Sequence, residues 1–321
     1  MSKSPIPIVS LAHINENPST SLELRDATSS LNYACREFGC FYLTGTGIPN
    51  TKIKKIIGQA SFFFNQSTGN KDLYEQEASI IGRGYHGLDV HGQSSERNTD
   101  IKESFFVGVD REKNDPLVIR RLPNHGPNVW PNEINMPCFR STVEDYFLDI
   151  TQVAHKLLRL FAFSLNMPAN YFEPYIDNTM ATLRLLSYQQ TQKPHQPIIF
   201  YPHEDHGLIS IILQNNTRGL EVASSNGSWI SADPIKDTLF VNVGKVLSYW
   251  TNSRYKASLH RVISSKESCK RISLPFFFDG NYDAKITPIP LFNSLAAQPN
   301  HPKSIGNLIY GDFNTNFNKQ V

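Results

Sequence analysis

The side chains in this chain best suited to chemistry are His203, Glu204, Asp205 and His206, which stand just before the apolar run Leu208 to Leu213. In an extended segment, side chains two apart share a face. His203 and Asp205 then point together, while Glu204 and His206 point away. An imidazole and a carboxylate on one face are two thirds of the two-histidine, one-carboxylate set that holds non-haem iron(II) and leaves positions open opposite. The four residues do not spell H-E-x-x-H, so a zinc-protease helix is excluded. A His-x-Asp alone is weak, because an ordinary hydrogen-bonded pair would read the same way.

A third ligand must come from a distant strand, and Leu259-His260-Arg261-Val262 supplies a histidine inside an apolar segment. Eleven residues after His260, Arg271-Ile272-Ser273 opens another strand-like run. Arg271 and Ser273 share a face by the same period of two. A guanidinium fork and a hydroxyl together suit a buried carboxylate, giving a bidentate charge-assisted pair and one further donor. A surface salt bridge is the plainer alternative for Arg271, but Leu274 to Phe278 makes the strand too apolar for a solvated edge.

The elements that must position these residues fall into two textures. In the front half, apolar positions Leu24, Ala27, Leu31, Ala34 and Phe38 predict a helix over 22–38, stopped by Gly39 and followed by a strand at Cys40 to Leu43. A second helix is predicted over about 50–65. A third, over 142–166, carries Val143, Phe147, Ile150, Val153, Leu157, Phe161 and Leu165 at helical spacing and ends at Asn166 and Pro168. After about residue 178, short β-branched or aromatic segments alternate with turn residues such as Ser225-Asn226-Gly227. Helices first and many short strands after predict a sandwich or jelly roll rather than a doubly wound parallel sheet.

Composition narrows the partners. The 321 residues are 40% hydrophobic and 19% charged with a net charge of +2, too weak a field to argue for nucleic acid or a membrane. A small-molecule substrate and a monomer are expected. Cys35, Cys40, Cys138 and Cys269 show no metal-type pairing and read as reduced thiols. With no secretory signal at the start and no apolar run long enough to span a bilayer, the expected location is the cytoplasm.

The ordered set H-x-D, H, R-x-S resembles the iron(II)/2-oxoglutarate-dependent oxygenase superfamily, in the isopenicillin N synthase-like branch. The likeness covers nearly the whole chain. At the front it rests on Pro5-Ile6-Pro7-Ile8-Val9, Ala34-Cys35-Arg36-Glu37-Phe38-Gly39, Gly47-Ile48-Pro49 and Arg83-Gly84-Tyr85. At the back it rests on His203-Glu204-Asp205, Val241-Asn242-Val243-Gly244, His260-Arg261-Val262 and Arg271-Ile272-Ser273. Gln189-Gln190 and Thr46 depart from the family's usual proline turn and histidine, and His206 stands where an apolar residue is more usual.

The resemblance implies a mainly β fold with flanking helices around a double-stranded β-helix (jelly-roll, cupin-like) core. Residues 1–110 would form an N-terminal α/β region, 111–177 a bracing helical segment, 178–285 the catalytic core and 286–321 a tail packed on it, all one compact unit. It also implies iron(II) on His203, Asp205 and His260, with 2-oxoglutarate and O2 as co-substrates. Arg271, Ser273 and Tyr188 would bind 2-oxoglutarate, and Arg83, Tyr85 and Phe277 would face the substrate. The implied reaction oxidises a C–H bond by hydroxylation, desaturation or cyclisation, with release of succinate and CO2. Two alternatives stay open: an oxidase of the isopenicillin N synthase type that uses no 2-oxoglutarate, and a non-catalytic metal-binding jelly roll.

Overall fold

The period-two alternation of the back half builds two facing sheets in the computed structural model, which describes residues 5–15, 21–75, 82–87, 102–188, 198–264, 270–289 and 301–311. Cys269, Gln189 and Gln190 lie outside the described residues. In chain order the strands are β1 (Ile8–Ser10), β2 (Cys40–Thr44), β3 (Gly84–His86), β4 (Lys102–Gly108), β5 (Thr182–Tyr188), β6 (Ile198–His203) and β7 (Ile209–Gln214). There follow β8 (Leu220–Ala223), β9 (Trp229–Ser231), β10 (Leu239–Val243), β11 (His260–Ile263), β12 (Arg271–Phe278), β13 (Lys285–Ile286) and β14 (Lys303–Ser304). The helices are α1 (Leu22–Glu37), α2 (Asn50–Phe64), α3 (Thr68–Asp72), α4 (Pro116–Ile119), α5 (Phe139–Ser164), α6 (Lys245–Trp250) and α7 (Ile305–Tyr310).

The major sheet runs β1-β2-β10-β7-β12-β5-β4-β3, and the minor sheet β6-β11-β8-β9. The N-terminal strands are thus built into the same sheet as the core strands. Alternate residues of the major sheet go to opposite sides. Phe41, Leu183, Leu185, Ile211, Val241, Leu274 and Phe276 join the helix-side core. Tyr42, Leu186, Tyr188, Ile212 and Phe240 face the minor sheet, where they meet Ile199, Leu220, Val222 and Val262. Two layers of side chains on one sheet, one under helices and one between sheets, are what a jelly roll with a helical brace requires.

Helix α5 is that brace. Val143, Tyr146, Ile150, Val153, Leu157 and Phe161 are buried along one stripe, and the helix starts three residues before the predicted Thr142. Ser21 caps α1 by accepting the Leu24 amide at 3.1 Å. Gly39 ends it with φ +69°, and a Cβ there would sit 2.4 Å from the Lys256 carbonyl oxygen. That helix end can therefore dock on the loop before β11 only with glycine. Among the described residues no helix is long and apolar enough to cross a membrane. Cys35, Cys40 and Cys138 are free thiols. Burial pushes Cys35 up and Cys40 up to about 12, so neither buried thiol is a nucleophile.

Candidate metal and co-substrate site

Strands β6 and β11 pair antiparallel with His260 opposite His203, which sets the two imidazole rings 4.3 Å apart by centroid. Each ring is held through Nδ1. That of His203 lies 2.8 Å from the Tyr201 carbonyl oxygen, and that of His260 lies 2.9 Å from the Ser258 carbonyl oxygen. A carbonyl only accepts, so each Nδ1 carries the proton and each Nε2 keeps its lone pair for the site. Burial lowers the His203 pKa, and the neighbouring His260 adds to the effect. A neutral imidazole results, the form that ligates metal.

Asp205 lies just past the end of β6, on the connection into β7. Its Oδ1 is 3.8 Å from both Nε2 atoms, and the three donor atoms all lie within 4.8 Å of one another. The other carboxylate oxygen, Oδ2, accepts from the Ser210 hydroxyl on β7 at 2.5 Å. Asn242 on β10 donates to that hydroxyl oxygen at 3.4 Å. The major sheet thereby fixes the orientation of a carboxylate whose backbone belongs to the loop. Glu204 turns away to Lys245, 3.6 Å distant. His206 is exposed and outside the three-residue cluster, though both residues border the cavity that opens from it.

That cavity has a volume of about 460 Å³ and lies between the sheets. Arg271 opens β12 directly opposite Tyr188 on β5, with its guanidinium 4.9 Å from the Tyr188 ring centroid. Its Nη2 donates to Gln214 Oε1 at 2.8 Å, while among the described residues Nε and Nη1 are buried without an acceptor. Burial lowers the Arg271 pKa, and Tyr188 pulls it the other way. An arginine buried with unused donors is costly unless a ligand completes it. Ser273, two residues on, lines the same wall. This set fits a carboxylate, and two imidazoles with one carboxylate fit iron(II).

The substrate side differs from expectation. Phe277 lines the cavity, but Arg83 and Tyr85 do not. Tyr85 pairs with Phe105 across β3 and β4, and both rings point into the helix-side core. The Tyr85 hydroxyl donates to Glu103 at 2.6 Å, and Glu103 also makes a buried ion pair with Lys71. Arg83 is fully buried behind the cavity wall and donates through Nη2 to the Asn124 carbonyl oxygen at 2.9 Å and through Nη1 to Asn124 Oδ1. Asn124 in turn donates to Thr182 Oγ1 at 2.7 Å. It is Asn124 and Thr182, not Arg83, that border the cavity.

Arg184, Phe106, Asp279 and Tyr310 also line it, and none of them is among the residues expected from sequence to face the substrate. For Arg184 a signal existed, since it shares strand parity with Tyr188 in an otherwise apolar segment. Asp279 approaches the metal loop so closely that a Cβ on Gly207 would fall 1.5 Å from its Oδ1. That oxygen accepts the Leu208 amide at 3.1 Å. Burial, with Asp205 nearby, pushes the Asp279 carboxyl up to about 7.

Residues 169–280 match the model of the 2OG-Fe(II) oxygenase superfamily, and residues 6–133 match that of the non-haem dioxygenase in morphine synthesis N-terminal region. The chain is 31% identical over 301 residues to clavatol oxidase of Penicillium crustosum, covering 88% of each chain. It is 28% identical over 292 residues to a 2-oxoglutarate-Fe(II) type oxidoreductase of Emericella nidulans, covering 89% of this chain and 83% of the relative. The crystal structure of a full-length Neurospora crassa protein in complex with alpha-KG superposes with a TM-score of 0.82 at 25% identity, over 95% of this chain and 94% of that one.

Proposed function

The chain belongs to the 2OG-Fe(II) oxygenase superfamily, and from that premise we propose that His203, Asp205 and His260 hold iron(II) while Arg271, Ser273 and Tyr188 hold 2-oxoglutarate. The enzyme is an iron(II)- and 2-oxoglutarate-dependent oxidoreductase that oxidises a C–H bond of a small molecule, with release of succinate and CO2. The observation that carries the residue assignment is the convergence of three donor atoms within 4.8 Å beside a buried arginine with two unused donors.

When bound, iron(II) with 2-oxoglutarate and oxygen supplies the oxidising power. The chain's own residues do the positioning. The Tyr201 and Ser258 carbonyls keep both imidazoles in the ligating tautomer. Ser210 holds one oxygen of Asp205, so that the other faces the imidazoles. Arg271 offers its fork to the far carboxylate of 2-oxoglutarate, and Ser273 adds a hydroxyl donor. Leu186, Ile212, Leu220 and Val262 give this part of the cavity apolar walls that exclude water from the reacting centre.

The substrate is a small molecule that enters beside Phe277, in a monomer located in the cytoplasm. Succinate formation, assayed with iron(II), ascorbate and oxygen across a metabolite library, tests this reading. A compound that raises succinate release in step with its own oxidation is the expected result. A chain that takes up iron(II) yet releases no succinate with any compound would favour the non-catalytic metal-binding alternative.

A further inference from the structure

Arg184 is a second arginine in the cavity, separate from Arg271, and nothing in the assignment of iron and 2-oxoglutarate uses it. It sits mid-strand on β5, directly opposite Phe106 on β4. Its guanidinium carbon lies 4.5 Å from the Phe106 ring centroid and 4.7 Å from that of Phe277 on β12. Rings from both neighbouring strands therefore lie against it. Among the described residues its Nε is buried without an acceptor, and its side chain makes no hydrogen bond or ion pair. The side chain is only partly covered and borders the cavity, so the remaining N–H edge is open to a ligand there.

A guanidinium left without a counter-charge in such surroundings is unfavourable, and burial lowers its pKa. The acidic groups acting on it are otherwise engaged. Asp205 is held by Ser210 and faces the two imidazoles, and Asp279 accepts from the Leu208 amide. Asn124, the nearby amide, spends Oδ1 on Arg83 and its NH2 on Thr182 and the Met180 carbonyl. What is missing is a planar anion able to meet two parallel N–H groups beside aromatic rings.

We propose that Arg184 is the specificity-determining residue for the substrate, and that the substrate class is small carboxylic acids held by their carboxylate on the Arg184 edge between Phe106 and Phe277. The inference rests on the iron and 2-oxoglutarate reading and deepens it. Two carboxylates then enter one cavity on separate arginines, 2-oxoglutarate on Arg271 and the substrate on Arg184. The fork geometry favours a carboxylate over its amide, which offers one acceptor and no charge.

The test uses the full chain loaded anaerobically with iron(II) and 2-oxoglutarate, titrated calorimetrically with benzoate, cinnamate and nicotinate and with the three matching primary amides. At least one acid should bind more tightly than its amide by roughly 10- to 100-fold, the scale of hydrogen bonds to a charged group. In Arg184→Met that preference should shrink to within about twofold, and Arg184→Lys should keep part of it, since a point charge replaces the fork. Arg184→Lys also retains the charge against the two rings, and melting curves of both variants separate lost recognition from lost folding. No acid preference in the wild type, or a preference undiminished in folded Arg184→Met, would overturn the proposal. Titrations without 2-oxoglutarate run alongside, so a failure of 2-oxoglutarate to bind counts against the Arg271 assignment while the acid–amide comparison still decides on Arg184.

Discussion

The two ends of the cavity satisfy their polar groups by opposite means. Around His203, Asp205 and His260, each side chain has one atom fixed by a protein partner and one turned inward: Nδ1 to a carbonyl on each histidine, Oδ2 to Ser210 on the aspartate. Around Arg184 the described residues contribute aromatic surface and no acceptor to its side chain. The first arrangement pre-organises ligand atoms for a metal, at the cost of three polar groups held close together. The second leaves recognition to the incoming molecule. Arg271 stands between these extremes, with one donor fixed by Gln214 and two left over.

The contrast breaks most visibly if the metal end is disturbed. His203→Ala or His260→Ala should abolish iron binding and turnover, whereas His206→Ala should keep iron, as measured by metal content after equilibrium dialysis. Loss of iron in His206→Ala with retention in His260→Ala would reverse the ligand assignment. Next in size is Arg271. Arg271→Gln leaves the far carboxylate of 2-oxoglutarate buried without its counter-charge, a loss of about 3–5 kcal/mol. The KM for 2-oxoglutarate should rise by more than about a hundredfold on that scale, with partial recovery in Arg271→Lys and iron affinity near wild type.

Ser210→Ala tests whether the hydrogen bond to Asp205 matters as much as the fixed geometry suggests. Removing a partner of a metal ligand typically costs about 10- to 100-fold in affinity, and an iron titration should show a loss of that order. Unchanged iron affinity would mean that the loop alone orients the carboxylate.

The smallest effect concerns Asp279 in the metal-free protein. Its carboxyl is pushed up to about 7 in the folded chain, from 3.8, chiefly by burial. The folded state then holds one proton more than the unfolded chain between those values, and this contribution to stability falls as pH rises from about 4 to about 7. Burial lowers His86, His125, His155 and His203 from 6.5, which acts in the other sense: stability falls as pH drops below that value. Asp279→Asn removes the first effect only. Its unfolding free energy, from denaturant titrations, should therefore rise more steeply with pH over 4–7 than that of the wild type, by up to about 1.4 kcal/mol per pH unit. Parallel profiles would show that Asp279 titrates near its ordinary value.

The same contrast explains what the sequence disclosed. The residues proposed to hold metal and co-substrate lie on strand partners or one strand face: His203 opposite His260, Tyr188 opposite Arg271, Ser273 two residues beyond. A period of two reveals them once the strands are recognised. Even so, β6 stops at His203, and it is Ser210, not strand parity, that holds the Asp205 carboxylate in place. The substrate end joins Arg184 and Phe277 to Asn124 from a loop and Tyr310 from α7, a meeting that no local spacing records. Arg83 and Tyr85 misled because β3 is an edge strand whose tyrosine shares the helix-facing parity of Phe105. The helix α5 was legible because its buried stripe is long, and α6 escaped because six residues carry too little periodicity.

We propose that one cavity holds iron on His203, Asp205 and His260 and 2-oxoglutarate on Arg271 and Ser273. The decisive experiment follows CO2 release from 2-oxoglutarate labelled at C1, together with substrate oxidation, in the wild type, in His260→Ala and in wild type with 2-oxoglutarate rigorously omitted. Labelled CO2 should match succinate in the wild type and vanish in His260→Ala, and substrate oxidation should stop when 2-oxoglutarate is withheld. Undiminished substrate oxidation without 2-oxoglutarate would contradict the account and favour the oxidase alternative.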